Sequence, residues 1–154
     1  IPLFQRAINI SLSDDKLKFQ YANFVSNLCV VRVNTGKMKK LRALQLMSDA
    51  YICLPDSIRI CKNIIALIKM NIIDAVTERS YNATEIFAIL EEIYENRSVT
   101  FIQNARELSE ARMEILNELP SSVQIAIRTG TNLSSEGNIL RKGLDYLYKL
   151  SAYN

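Results

Sequence analysis

The chain has 154 residues, 49% of them apolar and 23% charged, with a formal net charge of +3. This usage excludes a disordered chain and supplies enough apolar surface for a core without disulfides or metals. Four Gly and three Pro are too few for the turns of an all-β sandwich or an α/β fold, so an all-α bundle is expected.

The first segment sets Pro2 in the opening turn of a short helix, with Leu3, Phe4, Ala7 and Ile8 on its buried side. Ser13 then serves as an N-cap, and Asp14 and Asp15 suit the positive end of the next helix. That helix places Leu17, Tyr21, Phe24, Val25, Leu28 and Cys29 or Val31 on one core stripe. Asn34-Thr-Gly36 ends it, with Gly36 in the left-handed region. A second long helix carries Met38, Leu41, Leu44, Met47 and Tyr51 on one side. Leu54-Pro55-Asp56 breaks the chain, and Pro55 can open the following helix.

The helix over about 56–78 is the most apolar. Ile58, Cys61, Ile64, Ile65, Ile68, Ile72 and Val76 form a stripe that Ile60, Leu67, Met70 and Ile73 widen. A helix apolar over most of its circumference is surrounded by others, which makes this the centre of the bundle. Asn82 and Glu85 resemble a capping box, and Ile86, Leu90, Ile93 and Tyr94 form the core face that follows. Asn96-Arg-Ser98 either breaks this helix or lies within it. Ile102, Ala105, Leu108, Met113 and Leu116 continue a narrower stripe to Leu119-Pro120. A short helix holds Val123, Ile125, Ala126 and Ile127, and 129–137 is a polar loop. Ile139, Leu140, Leu144, Leu147 and Leu150 mark a last amphipathic helix, which also carries Tyr146 and Tyr148 beside Arg141, Lys142 and Lys149, with Tyr153 beyond. The expected architecture is a compact bundle of about five long and two short helices around 56–78. It forms a single domain over 1–154, excised from a longer chain because residue 1 is Ile.

Catalytic machinery is not legible. The chain has no His, which removes the commonest general acid/base, the Ser-His and Cys-His dyads and most zinc sites. Glu91, Glu92 and Glu95 lie opposite Ile86, Leu90 and Ile93 and read as a solvated face rather than a metal-binding carboxylate set. A phosphate-binding loop around Gly36-Lys37 would need Gly at 31 and Ser or Thr at 38, where Val31 and Met38 stand. No cofactor and no metal are expected, and the chain reads as non-enzymatic.

Charge is unevenly spread. Residues 1–77 carry eleven Lys/Arg against five Asp/Glu, and residues 78–154 carry eight against eleven. The basic side concentrates at Lys37, Lys39, Lys40 and Arg42, with Arg32 one helix earlier. Cations at a helix N-terminus oppose the macrodipole at a cost of a few tenths of a kcal/mol each, roughly. That is a hint of use. The acidic side lines one helical stripe at Glu107, Glu110, Glu114 and Glu118. The expected partner is another protein or a second copy, and the basic turn is expected to meet the acidic stripe of another copy or of the same molecule. Nucleic acid bound by the basic turn is the first alternative.

Lys62, Lys69 and Asp74 interrupt the longest apolar stretches, so no membrane span is expected. Cys29, Cys53 and Cys61, odd in number and without Cys-x-x-Cys, read as thiols of an intracellular compartment, cytoplasmic or nuclear. Sequons at Asn9, Asn82, Asn96 and Asn132 support the further alternative of a secreted helical signalling factor.

Overall fold

Ile60, Ile64, Ile68 and Ile72 recur every fourth residue. On a 3.6-residue helix such a row stays near one face while Cys61, Ile65 and Leu67 extend it around the axis. A computed structural model describes residues 15–77, 83–119, 121–129 and 135–152. In it this row forms the buried centre of α3 (Ile58–Thr77). The described residues form helices and no strand. The others are α1 (Asp15–Asn34), α2 (Lys40–Cys53), α4 (Ala83–Glu95), α5 (Val99–Gln103), α6 (Ala105–Glu118), α7 (Ser121–Thr129) and α8 (Ser135–Ser151).

The all-α bundle around a central helix is thus the architecture of the chain. α3 packs against α1, α2, α4, α5, α6 and α8, and Ile60, Cys61, Ile64, Ile68 and Ile72 have no solvent access. Burying each isoleucine side chain contributes about 1.5–3 kcal/mol. The helix starts at Ile58 rather than near 56, and Pro55 stays outside it. Ser57 sets the start: its Oγ accepts from the Ile60 N–H at 3.2 Å and its carbonyl from the Cys61 N–H at 3.1 Å, the geometry of an N-cap.

The region 83–118 is cut twice. Ser98 Oγ caps α5 by accepting from the Thr100 N–H at 3.3 Å, so Asn96-Arg-Ser98 is a break. Asn104 is a second break, buried, with its Nδ2 donating to the Thr100 carbonyl at 2.7 Å. That break resets the helical phase. Leu108, Ala111, Ile115 and Leu119 face the core, whereas Met113, expected in the stripe, is 61% exposed. Of the polar loop expected over 129–137, Thr129 ends α7, Ser135 begins α8 and Gly137 is buried within it, and 130–134 lie outside the described residues. The expected helix near residues 2–8, the caps at Ser13 and Asn82, and Tyr153 lie outside the described residues.

Where α8 crosses α3, Gly143 is buried, and a Cβ on it would stand 2.6 Å from Ile72 Cδ1 and 2.9 Å from Cγ1. At the other end of the core, Tyr51 packs its ring on Phe101 with centroids 5.1 Å apart.

Candidate interaction surface

Apolar residues occupy two sides of α1. Tyr21, Ala22, Val25 and Cys29 face inward with Ser26, whose Oγ accepts from Asn63 Nδ2 of α3 at 2.8 Å. Leu17, Phe24 and Val31 stand seven residues apart on the outside. The single stripe expected for this helix is therefore two, and only the Tyr21-Val25-Cys29 row belongs to the core. Phe24 is 53% and Val31 58% exposed. Leu28, half-buried, lies beside the outer row.

α1 ends as its sequence predicts. Gly36 takes φ +71°. The Lys37 N–H donates to the Arg32 carbonyl at 2.8 Å, and the Gly36 N–H to the Val33 carbonyl at 3.1 Å. This is the paired bonding of a Schellman motif, which only a residue without a Cβ adopts at no steric cost. α2 begins on Lys39, whose backbone is extended, whose side chain caps nothing, and after which no acidic residue occupies the first turn. An ammonium group has no acceptor to offer the free N–H groups.

α3 fixes this turn from beneath. Asn71 Nδ2 donates to the Lys40 carbonyl at 3.1 Å and to the Leu67 carbonyl at 2.8 Å. Lys40 Nζ meets Asp74 at 2.9 Å. Lys40 is thereby drawn toward α3. Arg32, Lys37, Lys39 and Arg42 instead rim a groove of about 660 Å³ whose apolar lining is Phe24, Leu28 and Met38. Arg42 donates to the neutral Gln45 at 3.3 Å. Among the described residues, no carboxylate lines the groove. Residues 16–48 hold seven Lys/Arg and no Asp or Glu. The carboxylate that feels Arg42 is Asp49, further along α2. Burial raises its pKa, Glu92 adds to the rise and Arg42 opposes it.

The acidic stripe has partners within the chain. Glu114 meets Lys69 of α3 at 2.5 Å, Glu107 meets Lys62 of α3 at 3.9 Å, and Glu110 meets Arg106 at 3.1 Å. A shallow cleft of about 120 Å³ separates the α3 and α6 sides. The stripe's cations are these lysines and Arg106, not the 37–42 turn. Glu118 is exposed. Pairs this exposed contribute about 0–1 kcal/mol each.

A third charged region closes on itself. Glu91, expected on a solvated face, accepts a hydrogen bond from Tyr146. Tyr146 stacks on Phe87, Lys142 lies over Phe87 at 4.7 Å, and Lys149 approaches the Tyr146 and Tyr94 rings. Arg97 covers Tyr94 at 4.6 Å and donates to the Lys149 carbonyl at 2.8 Å. This seam joins α4 to α8 and leaves its cations occupied.

The basic rim is legible in the sequence but its apolar floor is not, because Phe24 and Leu28 share the helical period of the α1 core stripe and Met38 both packs against the core and lines the groove. The seven-residue spacing of Leu17, Phe24 and Val31 and the carboxylate-free run over 16–48 were the available signals. Elsewhere the side chains offer little chemistry. Burial pushes the Cys29 thiol up to about 11 and the Cys61 thiol up to about 12, which keeps both protonated and weakly nucleophilic. Among the described residues, no group of three His, Cys, Asp or Glu could hold a metal ion, and no helix is long and apolar enough to cross a membrane. No family model, curated protein or solved structure matches the chain.

Proposed function

We propose that the chain is a non-catalytic helical module that binds another protein through the outer face of α1 and α2. One observation carries this reading: a groove with an apolar floor and a rim of four cations that, among the described residues, have no carboxylate ion-pair partner. Apolar surface left exposed in a concave, charged setting is a feature of binding sites. Arg is among the residues enriched at protein interfaces. Three free thiols, two of them buried, fit an intracellular setting. Nucleic acid is the second reading, favoured by the exposed Phe24 ring among the cations, a combination that single-stranded chains use for stacking.

The two readings separate by cross-linking. A photoreactive phenylalanine analogue in place of Phe24, irradiated in native lysate, should yield adducts that protease removes and nuclease leaves intact. The same analogue at exposed Ser109 of α6 should yield none of them. Adducts removed by nuclease assign the face to nucleic acid. Equal labelling at the two positions removes the α1–α2 face as the site.

A further inference from the structure

We infer that the occupant of the α1–α2 groove is an acidic amphipathic helix of a partner protein. Its apolar side chains would rest on Phe24, Leu28 and Met38, and its carboxylates would face Arg32, Lys37, Lys39 and Arg42. This rests on the interaction-module reading and specifies its partner.

Charge is the first argument. The rim is a cluster of four cations inside a 33-residue run without one Asp or Glu. A cationic partner would meet uncompensated repulsion there, and a neutral one would leave four guanidinium and ammonium groups partly desolvated without counterions. Shape is the second. Leu17 and Val31, exposed seven residues to either side of Phe24, extend an apolar row along the same side of α1 beyond the groove. Fourteen residues of helix rise about 21 Å, so the row matches a partner helix of about four turns. The seven-residue spacing is that of one seam position in helix-on-helix packing. α1 and α2 are helices and offer no sheet edge to an extended peptide.

Other occupants fit less well. Residues 1–14 of the chain carry Arg6 and Asp14 and so bring no net negative charge. A second copy would present the stripe Glu107, Glu110, Glu114 and Glu118, the first three of which Lys62, Arg106 and Lys69 already engage. A phosphate backbone neutralises the rim but has no aliphatic groups for Leu17 and Val31. A bilayer surface is flat, whereas the apolar floor is recessed.

The test uses the whole chain and two stapled helical peptides of equal length and helicity. Both carry leucine at the seam positions, one with Glu and the other with Lys on the flanking positions. In fluorescence anisotropy at low salt, the Glu peptide should bind at least tenfold more tightly than the Lys peptide, and the gap should narrow at high salt. Lys37→Glu combined with Lys39→Glu should abolish the preference. Phe24→Ser should weaken Glu-peptide binding at least tenfold. All three positions are exposed, so the melting midpoint of each variant should stay near that of the parent. Equal binding of the two peptides, or binding insensitive to Phe24→Ser, overturns the inference. So does a Glu peptide that fails to bind while oligouridine or phosphatidylserine vesicles do. If protein adducts at position 24 persist while the Glu peptide does not bind, the interaction module stands and only the acidic helix falls.

Discussion

Tyr51 is held by both of its parts. The ring is fully buried against Phe101. The hydroxyl donates to the Asn96 carbonyl at 2.8 Å and accepts from the Ser98 N–H at 2.7 Å. Asn96 and Ser98 flank the break between α4 and α5, where helical bonding is interrupted and backbone groups need outside partners. Ser98 Oγ reaches across to the Pro55 carbonyl at 2.7 Å, so one tyrosine and one serine tie the end of α2 to a break more than forty residues away. Tyr51→Phe keeps the ring and strips both backbone groups of their partner. It should destabilise the fold by about 1–3 kcal/mol, read as a lower denaturant midpoint with an unchanged slope. A midpoint within error of the parent would show that water replaces the hydroxyl at no cost.

Among the elements, the contact of α3 with α8 is the most exacting. Gly143 lets the two helices approach until a Cβ would overlap three Ile72 carbons. In an open helix, Gly→Ala would stabilise by about 1 kcal/mol. Here Gly143→Ala should destabilise by about 1–3 kcal/mol through overpacking, and Ile72→Val, which removes Cδ1, should recover part of the loss in the double variant. Strict additivity of the two changes would mean that these residues do not meet. This contact was illegible in the sequence, where a glycine within an amphipathic pattern carries no sign of what stands opposite it. The isoleucine row of α3 was legible because period and burial are properties of one segment. Gly36 was legible because a left-handed terminus has few alternatives. The division of 83–118 was not, since an exposed Asn and a buried Asn104 look alike until their partners are known. The candidate surface divides in the same way. Its cations could be read from composition, but Phe24 is exposed and Lys40 is paired only because of where α3 lies, thirty-four residues from Lys40 at Asp74.

For the whole molecule, the core limits the pH range of stability. Cys29 and Cys61 have thiols raised from 9.0 to about 11 and about 12 by burial. A raised acid favours the neutral form in the fold. The corresponding stabilisation is complete below pH 9, the unfolded value, and is lost as pH rises through 11 to 12. Denaturant midpoints should therefore hold steady from pH 7 to 8.5 and fall above pH 9. A Cys29→Val, Cys61→Val variant should fall less steeply, with the Tyr21 hydroxyl, raised to about 12, sustaining a residual slope. Identical slopes would place the alkaline sensitivity elsewhere. The uncapped first turn of α2 has a different consequence. If the proposed acidic partner sets its carboxylates at this turn, they satisfy its N–H groups and adjoining cations, and binding then stabilises the fold. A ligand at a hundred times its dissociation constant raises the free energy of unfolding by about 2.7 kcal/mol. On the proposed reading, the chain would resist unfolding and proteolysis most when the groove is occupied, and its lifetime would report the supply of its partner.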